Sequence, residues 1–163
     1  MASGFIACIV SGGQTGVDRA ALDVALLLGI PCGGWCPRGR KAENGTIAER
    51  YPLQETQSSD YRQRTAANVL AADGTLILHR GRLMGGTAFT VRTAKHAPRP
   101  FFIVDLKTSP PQLNALTWIR DHQIRVLNVA GPRESQARGI YRQARRWLYD
   151  LLVRGTDVSC YDK

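Results

Sequence analysis

The sequence is poor in the residues that build metal and disulfide sites. It contains only 4 cysteines and 3 histidines among 163 residues. Cys32 and Cys36 stand in a C-x3-C spacing, but no second pair or neighbouring histidine completes a zinc ligand set. We therefore predict no metal site, and we expect the cysteines to stay reduced, as in an intracellular compartment.

Long apolar runs are also missing. No segment reaches the roughly 20 apolar residues that a membrane-spanning helix needs. The residues before the first apolar run, 1–4, lack the basic stretch of a signal peptide. We expect a cytoplasmic protein without a membrane partner.

With 44% hydrophobic residues, the chain has enough apolar material for one compact domain over residues 1–163.

Acidic residues are few compared with basic ones. The chain has 13 Asp and Glu against 22 Lys and Arg, a net charge of +9, and 18 of the cations are arginines, whose planar guanidinium suits phosphate and carboxylate. An anionic partner is therefore expected, and nucleic acid has to be considered. The predicted last helix carries Arg138, Arg142, Arg145 and Arg146 opposite its apolar face but has no aromatic platform for bases. We interpret it as a solvated helix and expect no nucleic-acid partner.

Apolar runs and helical patterns alternate along the chain. Strands are predicted at 5–10, 30–35, 75–78, 101–105 and 125–130, and helices at 17–28, 60–72, 85–96, 110–121 and 136–154. Ser109 is the predicted N-cap of the fourth helix, with Pro110 in its first position. A polar stretch, 36–59, separates the second strand from the second helix. The alternation predicts an α/β fold with three layers, α/β/α, and a mainly parallel sheet.

Three glycine-containing loops follow the first, third and fifth predicted strands. They cover residues 11–16, 81–87 and 128–135. Because the carboxyl ends of parallel strands meet at one edge of a sheet, we expect the loops to open onto one crevice. Backbone N–H groups in such loops, at the start of a helix, bind oxyanions. The pattern predicts a phosphate or related oxyanion there.

The commonest phosphate-binding loops do not fit this sequence. Gly12, Gly13 and Gly16 lack the G-x-G-x-x-G spacing, and Val17 stands where a Walker-type loop has lysine. The end of the second strand offers no acidic residue for a ribose. Ordinary dinucleotide binding and ATP hydrolysis are therefore not expected.

Candidate catalytic groups are sparse. The sequence suggests no Ser-His-Asp or Cys-His arrangement and no paired carboxylates in the glycine loops. Asp105 ends the fourth predicted strand, where such a residue usually caps a turn. Glu134 lies in the third loop, and pairing with a neighbouring arginine is favoured over a role as a catalytic base.

The long polar stretch contains a cluster of cations beside an indole. Arg38, Arg40 and Lys41 follow Trp35 closely. Such a group suits an anionic ligand with a flat ring, and an exposed basic turn is the alternative interpretation.

Six segments give the chain a wider resemblance. In order they are SGGQTGVDRAALDVA, GIPCGGWCPRGRKAENG, YPLQET, NVLAADGTLIL, GGTAFT and LNVAGPRES. Their order and spacing resemble the molybdenum cofactor carrier family, within the SLOG group of Rossmann-like domains. The resemblance implies a Rossmann-like homotetramer that binds, protects and delivers the molybdenum cofactor (molybdopterin), a pterin with a terminal phosphate and a dithiolene-held molybdenum. Molybdenum-enzyme apo-proteins or cofactor insertion proteins would receive it.

The resemblance also implies which residues bind the cofactor or a phosphate or molybdate ion. They belong to the three loops, the start of the third helix and the basic segment: Gly12, Gly13, Gln14, Thr15, Gly16, Arg38, Arg40, Gly85, Gly86, Thr87, Thr90, Asn128, Gly131, Pro132, Arg133, Glu134 and Ser135. The contact of the basic segment with the ligand is the less direct part of the resemblance.

One departure from related enzymes bears on catalysis. SLOG enzymes that cleave nucleoside monophosphates resemble P-G-G-x-G-T-x-x-E, with a catalytic glutamate. Here Gly86 and Thr87 align with the G-T pair, and Thr90 occupies the glutamate position. We expect a non-catalytic carrier. The alternative is a nucleotide-binding SLOG enzyme with phosphoribohydrolase-like activity on nucleoside monophosphates, with Glu134 or Asp105 in the catalytic role.

Overall fold

The computed structural model describes residues 5–158 and has a five-stranded central sheet. Its strands are β1 (Cys8–Val10), β2 (Cys32–Gly33), β7 (Gly74–His79), β8 (Phe101–Asp105) and β9 (Val126–Ala130). Their order is β2-β1-β9-β7-β8, and every neighbouring pair is parallel. The flanking helices are α1 (Val17–Leu28), α2 (Tyr61–Ala71), α3 (Gly85–His96), α4 (Leu113–Asp121) and α5 (Ile140–Val158). The predicted α/β fold with a mainly parallel sheet is confirmed. The predicted domain also included residues 1–4 and 159–163, which lie outside the described residues.

Helix α1 is buried along most of its length. Small side chains such as Ala20, Ala21 and Ala25, all at most 2% exposed, allow it to pack closely between the sheet and α5. Gly29 ends the helix in the left-handed conformation (φ 67°), as its predicted role as a helix stop requires. No helix within residues 5–158 has the length and apolar character to span a membrane.

The long polar stretch folds into short strands. β3 (Trp35–Cys36) pairs in parallel with β6 (Gln54–Glu55), and β4 (Lys41–Ala42) forms a hairpin with β5 (Gly45–Thr46). The predicted strand 30–35 is therefore too long. Gly34, with φ 127°, turns the chain out of the main sheet, and a Cβ there would lie 2.3 Å from the Ser11 carbonyl oxygen.

Two predicted helix starts are wrong. Ser109 does not cap α4: it has φ 44° and ends a 3-10 helix, Leu106–Thr108, so that α4 begins only at Leu113. Helix α5 begins at Ile140 rather than at 136, directly after Gly139, whose φ is 82°. The first strand is also shorter than predicted, since regular pairing begins at Cys8.

Candidate functional site

The three glycine loops meet at the carboxyl edge of the sheet, as predicted. They line one cavity of about 320 Å³, here called the main cavity. Gln14 comes from the first loop, Gly85 and Thr87 from the start of α3, and Gly131 from the loop after β9. The full lining is Gln14, Asp18, Tyr61, Arg62, Arg64, Thr65, Gly85, Gly86, Thr87, Phe89, Thr90, Arg92, Ala130, Gly131, Arg133 and Gln136.

One wall of the main cavity was not predicted. Helix α2 contributes Tyr61, Arg62, Arg64 and Thr65, and α3 contributes Arg92. From the sequence alone, arginines at these helix positions would be assigned to solvent-exposed faces. Their position beside the glycine loops depends on how α2 and α3 pack against each other, and local spacing carries no signal for that packing.

A buried ion pair between Arg64 and Asp18 lies against the first glycine loop. Arg64 Nη1 lies 2.8 Å from Asp18 Oδ2, with the two side chains 14% and 3% exposed. Burial raises the pKa of Asp18, although the Arg64 guanidinium opposes that rise. The guanidinium also lies against Gly12, where a Cβ would be 1.6 Å from Nη1. Gly12 therefore makes room for the ion pair.

The first loop uses its polar groups internally. Gln14 N–H donates to Asp18 Oδ2 (3.3 Å), and Gln14 Oε1 accepts from the N–H groups of Thr15 (3.0 Å) and Glu43 (2.9 Å). These amides already have acceptors within the protein. The backbone amides of Gln14 and Thr15 are therefore not available to an anion.

The start of α3 has the opposite character. Its N-cap, Met84, supplies no side-chain cap. The Thr87 hydroxyl is buried, with the residue 3% exposed, and has no hydrogen-bond partner among the described residues. Thr90, by contrast, donates its hydroxyl to the Gly86 carbonyl (2.9 Å). An uncapped helix N-terminus beside an unpartnered hydroxyl is suited to an oxyanion.

Arginines supply positive charge around this helix start. Arg62 pairs with Asp60 (3.0 Å), and Arg133 lies 3.7 Å from Glu43. Arg92 forms none of the ion pairs in the part of the chain that the structure describes. Its charge is therefore the least compensated of those that line the main cavity.

Several predicted residues line a second, wider cleft of about 1080 Å³. Thr15, Gly16, Glu134 and Ser135 lie there, beside Glu43. The Glu43 carboxylate accepts from the Ser135 N–H (3.1 Å) and from the hydroxyls of Thr15 and Ser135. Burial raises the pKa of Glu43, but these hydrogen bonds and Arg133 outweigh it, so the net pKa lies below the usual range. Glu43 thus ties the β4–β5 hairpin to two glycine loops, a role the sequence did not indicate.

The two candidate catalytic carboxylates cap backbone turns. Asp105 Oδ1 accepts from the N–H groups of Lys107 (2.9 Å) and Gly81 (3.1 Å), which lower its pKa, and its predicted role as a turn cap is confirmed. Glu134 accepts from the N–H groups of Gly139 and Tyr141 at the start of α5. It forms none of the ion pairs among the described residues, so the expected arginine pairing is wrong.

The structure places four other predicted residues away from the main cavity. Arg40 donates to the carbonyls of Ile47, Ala48, Tyr51 and Leu53 at 2.8–3.1 Å. Arg38 is exposed, in a groove beside Glu55. Asn128 is buried in β9 and donates to the Thr75 hydroxyl (3.3 Å), and Gly13 faces Ile47 and Leu53. The basic segment and the main cavity are therefore separate features.

The sheet, the crevice at its carboxyl edge and the glycine loops define a Rossmann-like α/β fold, in which this edge of the sheet is the usual position of ligands. Residues 9–152 match the Circularly permutated YpsA SLOG family, and the chain belongs to this family. It is also similar to the crystal structure of the "Putative molybdenum carrier protein" from Syntrophus aciditrophicus SB. The identity is 46%, the TM-score is 0.86, and the match covers 91% of this chain and 96% of that one. No curated protein matches the chain.

Proposed function

We propose that this protein binds, protects and delivers the molybdenum cofactor. One observation carries the proposal: Thr87, whose buried hydroxyl has no partner among the described residues, stands at the uncapped start of α3 and lines a cavity surrounded by arginines. A buried hydroxyl without a hydrogen bond costs about 1–3 kcal/mol, which a phosphate oxygen at this position would recover. The 46% identity to a protein named as a molybdenum carrier adds the chemical class of the ligand.

The cargo's terminal phosphate would lie against the first turn of α3. Gly85 and Gly86 leave backbone N–H groups accessible there, and Arg92 supplies a charge-assisted donor. The aromatic side chains of Tyr61 and Phe89 line the same cavity and suit a flat pterin ring. The cavity volume falls in the range that small-molecule sites occupy.

The carboxylates near the site support binding without hydrolysis. Asp18 is the one carboxylate among the residues that line the main cavity, and it is held by Arg64. Thr90 stands where related hydrolases have glutamate, and its hydroxyl is bonded to the helix backbone. A general base must reach the proton that it removes. No carboxylate of the described residues is free to do so in this cavity.

The family resemblance extends the proposal beyond the site. We infer a homotetramer in the cytoplasm that passes its cargo to molybdenum-enzyme apo-proteins or cofactor insertion proteins. Light scattering after size exclusion is expected to give four times the 17.9 kDa chain mass. A monomer mass at micromolar concentration would contradict the tetramer while leaving the proposed site untouched.

Mass spectrometry of ligand released from anaerobically purified protein tests the cargo. We expect a phosphorylated pterin in the wild type and at least tenfold less in Arg92→Ala. Arg38→Ala, an exposed arginine outside the cavity, is the matched control and should retain the ligand. A nucleotide in place of the pterin would favour the alternative function, a phosphoribohydrolase-like activity. Release of free base from nucleoside monophosphates by the purified protein would favour it as well.

A further inference from the structure

A smaller cavity of about 130 Å³ adjoins the main cavity and is here called the side cavity. It lies between the β7–α3 loop and the segment that precedes α5. Its lining is His79, Arg80, Arg82, Leu83, Met84, Thr87, Pro132, Gln136 and Ala137. Thr87 and Gln136 belong to both cavities, so the two spaces meet at these side chains.

Two residues that line this one small space each carry an unpartnered, buried polar atom. Thr87 Oγ1 and His79 Nδ1 are both buried without a hydrogen-bond partner in the part of the chain that the structure describes. The residues are only 3% and 9% exposed and come from different elements, the first turn of α3 and the last position of β7. Buried polar groups in native proteins nearly always have partners, so a polar occupant is expected here.

The charge around the side cavity favours an anion. Arg80 and Arg82 both line it, and Arg82 is exposed. Arg80 is fixed by bonds from Nη2 to the Arg138 carbonyl (2.5 Å) and from Nη1 to Gln143 Oε1 (3.5 Å). Asp105 lies opposite His79 in the neighbouring strand, but its Oδ1 already accepts from two backbone amides.

The volume limits the occupant to a small group. At about 130 Å³ the side cavity is smaller than the roughly 300–1,000 Å³ of sites for drug-sized ligands, so it suits a compact group. A tetrahedral ion carries four oxygens in a compact shape. It can accept a hydrogen bond from a hydroxyl, an imidazole and a guanidinium at the same time.

We propose that the side cavity binds one tetrahedral oxyanion, of the phosphate or molybdate type, through the Thr87 hydroxyl, His79 Nδ1 and the Arg82 guanidinium. The Thr87 hydroxyl has a single proton to donate, so an ion in the side cavity and the cargo's phosphate at the first turn of α3 compete for it. Binding of the ion does not depend on the identity of the cargo. Because Thr87 faces both cavities, it is the residue through which the two sites communicate.

Titration calorimetry of the whole protein with inorganic phosphate, molybdate and sulfate, at constant ionic strength, tests the site. We expect the wild type to bind the ion and His79→Phe, which keeps the ring volume without its nitrogens, to bind it at least tenfold more weakly. Arg82→Ala and Thr87→Val should weaken binding similarly.

Thr90→Val is the matched control for Thr87→Val and should bind the ion normally, because the Thr90 hydroxyl is bonded to Gly86. Comparing the three ions shows which oxyanion the site prefers.

Arg92→Ala separates this proposal from the proposed function. It should lose the cargo but keep the ion, whereas Arg82→Ala should lose the ion. If Arg92→Ala loses the ion while His79→Phe and Arg82→Ala keep it, the ion binds in the main cavity and the side-cavity proposal is wrong. If His79→Phe does not fold, Arg82→Ala, a change at an exposed residue, still tests the side cavity. Molybdate-soaked crystals with anomalous density in the side cavity would support the proposal, and water alone there would overturn it.

Discussion

Thr87 and Thr90 are neighbours on α3 whose hydroxyls have opposite surroundings. Thr87 Oγ1 is buried and has no partner within the part of the chain that the structure describes, whereas Thr90 Oγ1 donates to the Gly86 carbonyl at 2.9 Å. Valine keeps the shape of threonine and removes the hydroxyl. In the absence of added anion, we expect Thr87→Val to be at least as stable as the wild type, and Thr90→Val to lose about 1 kcal/mol. Urea unfolding measures both. Equal losses in the two variants would mean that the Thr87 hydroxyl has a partner within the protein.

Arg40 and Arg38 look alike in the sequence but differ in their contacts. The Arg40 guanidinium satisfies four backbone carbonyls of the segment that ends at Leu53, whereas Arg38 is exposed. We expect Arg40→Ala to lower the free energy of unfolding by about 2–4 kcal/mol, because several charge-assisted hydrogen bonds are lost together. Arg38→Ala should change it by less than about 0.5 kcal/mol. Denaturant titration distinguishes them, and similar values would contradict the structural role of Arg40.

At the scale of elements, the β4–β5 hairpin is held to the glycine loops by Glu43. Hydrogen bonds hold the folded-state pKa of this carboxyl below its usual range. The stability that Glu43 gives to the hairpin is therefore fully present above the ordinary pKa of a glutamate. It is lost as the pH falls through the lowered pKa of Glu43 in the folded protein. We expect amide exchange at 41–46, corrected for intrinsic rates, to accelerate on acidification in the wild type.

Glu43→Gln is the variant that isolates this effect. Its hairpin should exchange faster at neutral pH and respond less to acid, because the titrating group is gone. Glu49→Gln, an exposed glutamate outside the observed ion pairs, is the control and should behave like the wild type. A hairpin equally protected in both variants would show that Glu43 does not hold it.

The elements also show what a sequence can predict. Helices 17–28 and 85–96 and strand 101–105 were predicted with their observed bounds, because hydrophobic periodicity and glycine stops are local signals. Ser109–Pro110 gave an equally clear local signal for a helix start, but the chain forms a 3-10 turn there instead.

The candidate site also has one feature that the sequence predicts and others that it does not. The meeting of the three loops follows from the parallel sheet alone, since parallel strands end at one edge. The Asp18–Arg64 pair joins residues 46 apart, and the Glu43 contacts with Ser135 join residues 92 apart. Such contacts depend on tertiary packing, for which the residue spacing carries no signal.

At the scale of the whole molecule, the net charge of +9 is spread over arginines with different roles. Arg40 and Arg64 are structural, while Arg142, Arg145 and Arg146 are exposed on α5. We predict no measurable DNA binding at physiological salt by fluorescence anisotropy. Steeply salt-dependent binding that is lost in Arg142→Glu/Arg145→Glu would contradict this prediction and make α5 a backbone-binding surface.

Ligand binding should stabilise the whole fold, because the main cavity joins α2, α3 and the loops after β1 and β9. A ligand present at 100 times its Kd adds about 2.7 kcal/mol to the free energy of unfolding. For a chain of this size that corresponds to a rise in Tm of about 5–10 °C. Calorimetry of anaerobically purified protein, before and after removal of its ligand, should show this difference in the wild type and none in Arg92→Ala. If Arg92→Ala shows the full difference, the cargo is held outside the main cavity, since Arg92 lines that space and neither of the other cavities described here.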